Sequence, residues 1–380
     1  MRLDHEKKLV ATGGEFNGVQ ALRGLAAGMV VIYHATQVWS NQAGENVNDL
    51  AWMNGAAGVD IFFVISGFVM LMSSAGKVGA HPARSFLERR WIRIVPLYWI
   101  MTSVALVQTL VLAHHIMGTG WNHLGESFSY VVASYLFVPW HNSAGETVPL
   151  LRVGWTLSYE MFFYFLFACA LALRVSVVRF LTPVLLGLTF IGMFRGASSP
   201  TFTCLASPLL LEFLAGVLVA YAVLQGLRLQ WWIAALLAGG GLVALAIAPD
   251  QHVVMMRALV WGVPAVGVVL GVVMLEGRFG RSIPRWALLL GDSSYSLYLS
   301  HLIVYWVPKH FLLKTRFLGP EVTNWHYEVV TVLSCVACGY AASLVLYWWV
   351  ENPVNQALRR RWKLRQEMRA ARAPALPVER

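Results

Sequence analysis

The stretch ALRGLAAGMVVIYHATQVW, Ala21 to Trp39, reads as a membrane-crossing segment, yet it holds an arginine, Arg23, and a histidine, His34. On an α-helix the eleven steps between them turn about 1100°, about 20° past three full turns, so both side chains share one face. At roughly 1.5 Å per residue they stand roughly 16 Å apart along the axis, about half of a bilayer core. A helix built this way predicts a ligand long enough to touch both, with a polar group at one end.

The rest of the chain supports a membrane setting. Its 380 residues are 58% hydrophobic and 13% charged, and the mean hydropathy is +0.60; a soluble domain carries about 25% charged residues. The first twenty residues are polar and charged and lack an apolar core followed by a cleavage site, so the first span is expected to be retained. The expected fold is all-α and polytopic, with ten spans near 19–39, 56–75, 92–113, 155–173, 177–194, 205–226, 231–248, 254–275, 288–309 and 328–350. The segment FSYVVASYLFV (Phe128–Val138) is too short to span and predicts a re-entrant or interfacial helix between the third and fourth spans. Residues 1–18 are expected to be a cytoplasmic segment, 19–355 the membrane domain and 356–380 a basic cytoplasmic tail, with no internal repeat and no second domain.

The net charge of +10 does not imply nucleic acid, because its placement follows membrane topology. With a cytoplasmic N-terminus, all but six of the 29 Lys and Arg fall on the cytoplasmic side; the exceptions are Arg152, Arg195, Arg257, Lys309, Lys314 and Arg316. That asymmetry predicts a multi-pass protein of the cytoplasmic (inner) membrane with both termini inside. The tail RRRWKLRQEMRAAR (Arg359–Arg372) is expected to start as a helix, become disordered and anchor to anionic membrane lipid. Cys335 and Cys338 form a C-x-x-C inside an apolar span without basic neighbours or further ligands, which predicts helix packing rather than redox chemistry or a metal site.

Ionisable groups within spans are costly and point to function. His34, His301, Asp60, Glu160 and Glu212 come from five different spans and are expected at one depth, towards the outer face. In that layer His34 reads as a base, with Glu160 or Asp60 as its orienting carboxylate; Asp60 reads equally as a helix cap, and Glu212 and His301 as cross-helix partners. A second layer lies at the cytoplasmic edge. RSFLERRWIRIVPLYW (Arg84–Trp99) carries Arg89, Arg90 and Arg93, with Lys77 and Arg84 nearby. Arg90 and Arg93, three apart, share a helix face, and with Arg23 they predict a positive funnel suited to phosphate oxygens. A ligand with phosphates at one end and a reactive group some 15–20 Å away fits acyl-coenzyme A.

Arg23-x10-His34, GVDIFFVISGF (Gly58–Phe68), RRWIRIVPLYW (Arg89–Trp99), GWTLSYEMFFY (Gly154–Tyr164), SYSLYLSH (Ser294–His301) and VENP (Val350–Pro353) follow in this order. The series resembles the acyltransferase 3 family of integral membrane O-acyltransferases over about residues 17–355. The resemblance implies a roughly ten-helix domain that takes acyl groups, usually acetyl, from cytoplasmic acetyl-CoA as co-substrate. It implies a carbohydrate acceptor: an exopolysaccharide, a lipopolysaccharide O-antigen or a lipid-linked glycan. By resemblance the family's Arg-x10-His falls on Arg23 and His34, its Arg-x-x-Arg on Arg90 and Arg93, and its Trp-x-Leu-x-x-Glu on Trp155, Leu157 and Glu160.

The mechanism expected is general-base removal of the acceptor's hydroxyl proton by His34. A covalent route through His34 or Ser66 is the alternative, although Ser66 also reads as a packing hydroxyl. The rival function is a proton-coupled transporter or exporter of a small anion or sugar, which uses the same intramembrane His and carboxylates. Against it, the chain has no paired halves with matching Gly/Pro-interrupted spans.

Overall fold

A computed structural model describes residues 16–43, 51–75, 82–117, 128–194, 199–249, 254–308, 311 and 325–372. Among these residues the regular structure is entirely helical. The elements are α1 (Asn17–Ala43), α2 (Gly58–Ser74), α3 (Pro82–Met117), α4 (Phe128–Tyr135), α5 (Trp155–Ala172), α6 (Val177–Phe194) and α7 (Pro200–Leu205). There follow α8 (Leu210–Leu224), α9 (Trp231–Ile247), α10 (Val263–Phe279), α11 (Arg285–Asp292), α12 (Ser294–Val304), α13 (Trp325–Leu346) and α14 (Asn352–Arg372).

Each of the ten expected spans overlaps helix among the described residues, but length and apolarity support fewer of them. Seven helical stretches among the described residues are long and apolar enough to cross a bilayer: Asn54–Ser74, Pro82–Val111, Arg152–Ala172, Val177–Phe194, Pro200–Leu224, Ala258–Ser282 and Glu328–Met368. The three others depart for separate reasons. α1 runs for 27 residues but spends much of its length on Arg23, His34 and side-chain amides. α9 stops at 17 residues. The ninth segment breaks at Ser293 into α11 and α12.

Around the centre, α2 is buried along most of its length. It lies close against α8 because glycines face each other's backbone: a Cβ at Gly67 would overlap the carbonyl of Phe213, and one at Gly216 that of Val64. Small residues at such crossings allow the van der Waals contact that drives helix association in lipid. Beside this seam a series of rings joins four helices. Phe63 stacks on Phe213 at 4.5 Å, Phe213 on Phe163 at 4.8 Å, and Phe86 on Phe167 at 4.8 Å. On the other side, Ala27, Val31 and Ala35 of α1 meet Leu297 and Tyr305 and the buried Cys335 of α13. Cys335 therefore fills a packing seam.

At 36 residues, α3 is roughly 54 Å long against a core of roughly 30 Å, so its first turns, with Arg84 and Arg89, extend beyond an apolar slab. The short α4 corresponds to the expected non-spanning helix. It hangs from α3, where Tyr98 Oη donates to Ser134 O at 2.8 Å and Trp99 Nε1 to Tyr135 O at 2.9 Å. These bonds satisfy carbonyls that a helix end leaves open. The basic tail starts as a helix, as expected: α14 runs to Arg372 and returns to α3, with Trp362 Nε1 donating to Glu88 Oε2 at 2.6 Å. Lys77 lies outside the described residues.

Candidate active site

The expected arginine funnel is present as a cavity. Arg23 of α1, Arg90 and Arg93 of α3, Ser66 of α2 and Glu160 and Tyr164 of α5 line a space of about 780 Å³, part of it open to solvent. Phe62, Phe63, Leu157, Tyr295 and Tyr298 supply apolar walls. Arg90 Nη2 donates to Ser73 Oγ at 3.0 Å, while its buried Nε has no hydrogen-bond partner. Arg93 makes no hydrogen bond among the described residues, although it feels Arg23, Arg90 and Glu351 electrostatically.

Glu160 belongs to this cavity. Its Oε1 accepts from Ser66 Oγ at 2.6 Å and also from Tyr164 Oη, and its carboxylate is within electrostatic reach of Arg23 and Arg90. A second carboxylate, Glu351, accepts from Ser296 Oγ at 2.6 Å and faces Arg23 and Arg93. Two carboxylates therefore answer three arginines.

A hydroxyl pair, Thr156 Oγ1 and Tyr298 Oη, 2.9 Å apart, belongs to the cavity lining. Tyr298 leads on to the histidines: its ring lies 6.2 Å from that of His301. His301 Nε2 is 3.1 Å from His34 Nδ1. His34 Nδ1 also lies 3.1 Å from Val30 O, and His301 Nδ1 lies 3.1 Å from Leu297 O. A carbonyl only accepts, so each Nδ1 carries a proton when the ring is neutral. With these tautomers the one His34 Nδ1–H is shared between Val30 O and His301 Nε2, which both accept, and His34 Nε2 carries the lone pair. No partner occupies that Nε2 among the described residues.

This corrects the expected partner of His34. Neither Glu160 nor Asp60 hydrogen-bonds it; the side chain in contact with it is the fully buried His301. Depth alone misled the reading, since residues at one height on different helices face different neighbours. Asp60 is held elsewhere: Arg257 donates Nε to Oδ1 at 3.1 Å and Nη2 to Oδ2 at 2.8 Å. Asp60 is 0% exposed, so this is a buried bidentate ion pair. Asp60's own side chain caps nothing at the start of α2. Glu212, also buried, faces both members of the pair. Trp155 opens α5 and packs its ring edge-on to Tyr159 at 5.8 Å, away from the cavity lining.

Several residues at the site escaped the sequence reading. Glu351 and Tyr164 stood inside quoted stretches, but nothing in spacing aimed them at Arg23 or Glu160. From charge placement alone Arg257 reads only as an outer charge. Its signal was available: an arginine inside an apolar stretch needs a carboxylate on another helix.

Comparison with known proteins identifies the family. A family model described as an acyltransferase domain matches residues 16–344. The chain is 33% identical over 319 residues to the exopolysaccharide production protein ExoZ of Rhizobium meliloti, covering 81% of this chain and 92% of that protein. It is 26% identical over 337 residues to the acyltransferase MdmB of Streptomyces mycarofaciens, covering 81% and 82%. The peptidoglycan O-acetyltransferase OatA of Listeria monocytogenes is 28% identical over 169 residues, 42% of this chain and 25% of that longer protein. No solved structure matches the chain significantly. Matched by the family model over most of its length, the chain belongs to the acyltransferase 3 family.

Proposed function

We propose that this protein transfers an acyl group, acetyl by family habit, from cytoplasmic acyl-CoA to a hydroxyl of a surface or lipid-linked glycan. The reading rests on one observation above all: a cavity lined by Arg23, Arg90 and Arg93 also includes Tyr298, whose ring lies 6.2 Å from that of His301, the partner of His34. Arg23, Arg90 and Arg93 hold donor phosphates, and the thin pantetheine arm follows the apolar walls towards His34. The acceptor hydroxyl gives its proton to His34 Nε2 as its oxygen attacks the thioester carbonyl. The carbon–sulfur bond breaks, and CoA leaves as thiolate and takes that proton from the His34 imidazolium, which returns His34 to its neutral form. His301 accepts from His34 Nδ1–H throughout and stabilises the imidazolium, the position a carboxylate takes in a serine-protease triad. The relatives' names, with exopolysaccharide and peptidoglycan among them, favour a carbohydrate acceptor. The chain is assigned to the inner membrane with both termini cytoplasmic, from its charge asymmetry.

A covalent variant has one observation in its favour, since Ser66 Oγ contacts a carboxylate inside the same cavity. It requires a mass gain of one acetyl on the protein with acetyl-CoA alone, lost in Ser66→Ala.

The test is release of free CoA from acetyl-CoA by purified protein in detergent, with and without extracted surface glycan. Glycan-dependent release that disappears in His34→Ala supports the proposal. Acetyl-CoA that neither binds nor turns over refutes it.

A further inference from the structure

The basic C-terminal helix takes part in a cavity. Arg359, Trp362 and Lys363 of α14 and Arg89, Arg90 and Arg93 of α3 surround a space of about 750 Å³. This space shares Arg90, Arg93 and Val69 with the inner cavity. Two contacts seat α14 here: the Trp362 Nε1 bond to Glu88 Oε2 and the Arg89 guanidinium 6.0 Å from the Trp362 ring.

Charge makes the arrangement unusual. Among the described residues five cationic side chains and no carboxylate line this space. Glu88, the nearest acid on α3, is engaged by Trp362 and Arg84. Arg90 Nε is buried without a hydrogen-bond partner, and neither Arg359 nor Lys363 makes a hydrogen bond among the described residues. Crowded like charges favour an anion strongly. The cations also form two tiers. Arg90 and Arg93 border both cavities, while Arg89, Arg359 and Lys363 border the outer one and not the inner; Arg359 also reaches a neighbouring pocket that holds Asp292 and Glu351.

We infer that α14 completes the donor site, with Arg359, Lys363 and Arg89 forming a pocket for a phosphate monoester, the 3′-phosphate of CoA. This rests on the acyl-CoA reading above. CoA carries phosphate at two places, a diphosphate next to the pantetheine arm and a monoester on the ribose beyond it. The inner tier suits the first and the outer tier the second. A monoester brings a charge of about −1.5 to −2 and three acceptor oxygens, which matches arginine forks and a lysine.

The test measures binding of CoA and of 3′-dephospho-CoA to the full chain in nanodiscs of zwitterionic lipid. Wild type should prefer CoA by about tenfold or more, the worth of one charge-assisted contact. Arg359→Ala with Lys363→Ala should erase the preference while leaving dephospho-CoA affinity unchanged. Arg361→Ala with Arg365→Ala removes equal charge from the same helix outside the pocket and should keep the preference. A wild type without preference, a pocket variant that keeps it, or a control variant that loses it overturns the assignment. A second arm adds anionic lipid to the discs. If anionic lipid displaces CoA and not dephospho-CoA, the pocket is a headgroup site and the assignment also falls. If neither nucleotide binds wild type, the acyl-CoA reading itself fails.

Discussion

The bundle treats its buried positive charge in two opposite ways. Arg257, near Tyr33 and the histidine end, is neutralised in full: both Asp60 oxygens accept from it, and Glu212 stands behind them. At the other end Arg23, Arg90 and Arg93 share Glu160 and Glu351, and both carboxylates also accept from hydroxyls. A closed bidentate pair holds helices together and offers nothing to a ligand. An incompletely answered arginine cluster around an open cavity is poised for anionic oxygens. The same residue type therefore serves stability in one place and binding in the other, and the carboxylate geometry distinguishes them.

The largest expected effect lies beyond both charge clusters, at the histidine pair. His34→Ala should lower kcat by roughly two to four orders of magnitude, the usual worth of a general base, while acetyl-CoA binding at the arginine end persists. His301 sharpens this reading as a positioning residue. His301→Gln keeps an acceptor for His34 Nδ1–H and should retain more activity than His301→Ala; equal losses would mean that the pair merely packs.

Next comes the contrast in stability. Arg257→Ala leaves Asp60 buried without its partner and should cost about 3–5 kcal/mol in thermal or denaturant unfolding. Pairing Arg257→Met with Asp60→Leu should recover most of that loss. Arg93→Ala should do the reverse of Arg257→Ala: the KM for acetyl-CoA rises by about tenfold, with the melting temperature unchanged or higher as like-charge crowding eases. A fall in kcat alone would break the phosphate role. The smallest effect should come from Trp362→Phe, which removes one partly exposed bond to Glu88. It should weaken CoA affinity by about 1 kcal/mol or less, seen in the same binding titration.

Sequence alone determined the membrane class, the helical composition and the shared face of Arg23 and His34. Those follow from hydropathy and from the 3.6-residue period, which act within one segment. It also grouped Arg23, Arg90 and Arg93, because the ends of neighbouring spans must lie at the same edge of a bilayer. The partners were another matter. Glu160 was expected with His34 and lies instead with Ser66, Tyr164 and the arginines; Asp60 faces Arg257; His301 takes the place reserved for a carboxylate. Depth is a one-dimensional coordinate that a sequence supplies by counting residues along a span. Which way each helix is turned about its axis depends on close packing, such as Gly67 and Gly216 admitting each other's backbone. Only the tertiary structure decides that rotation, and with it which charges meet.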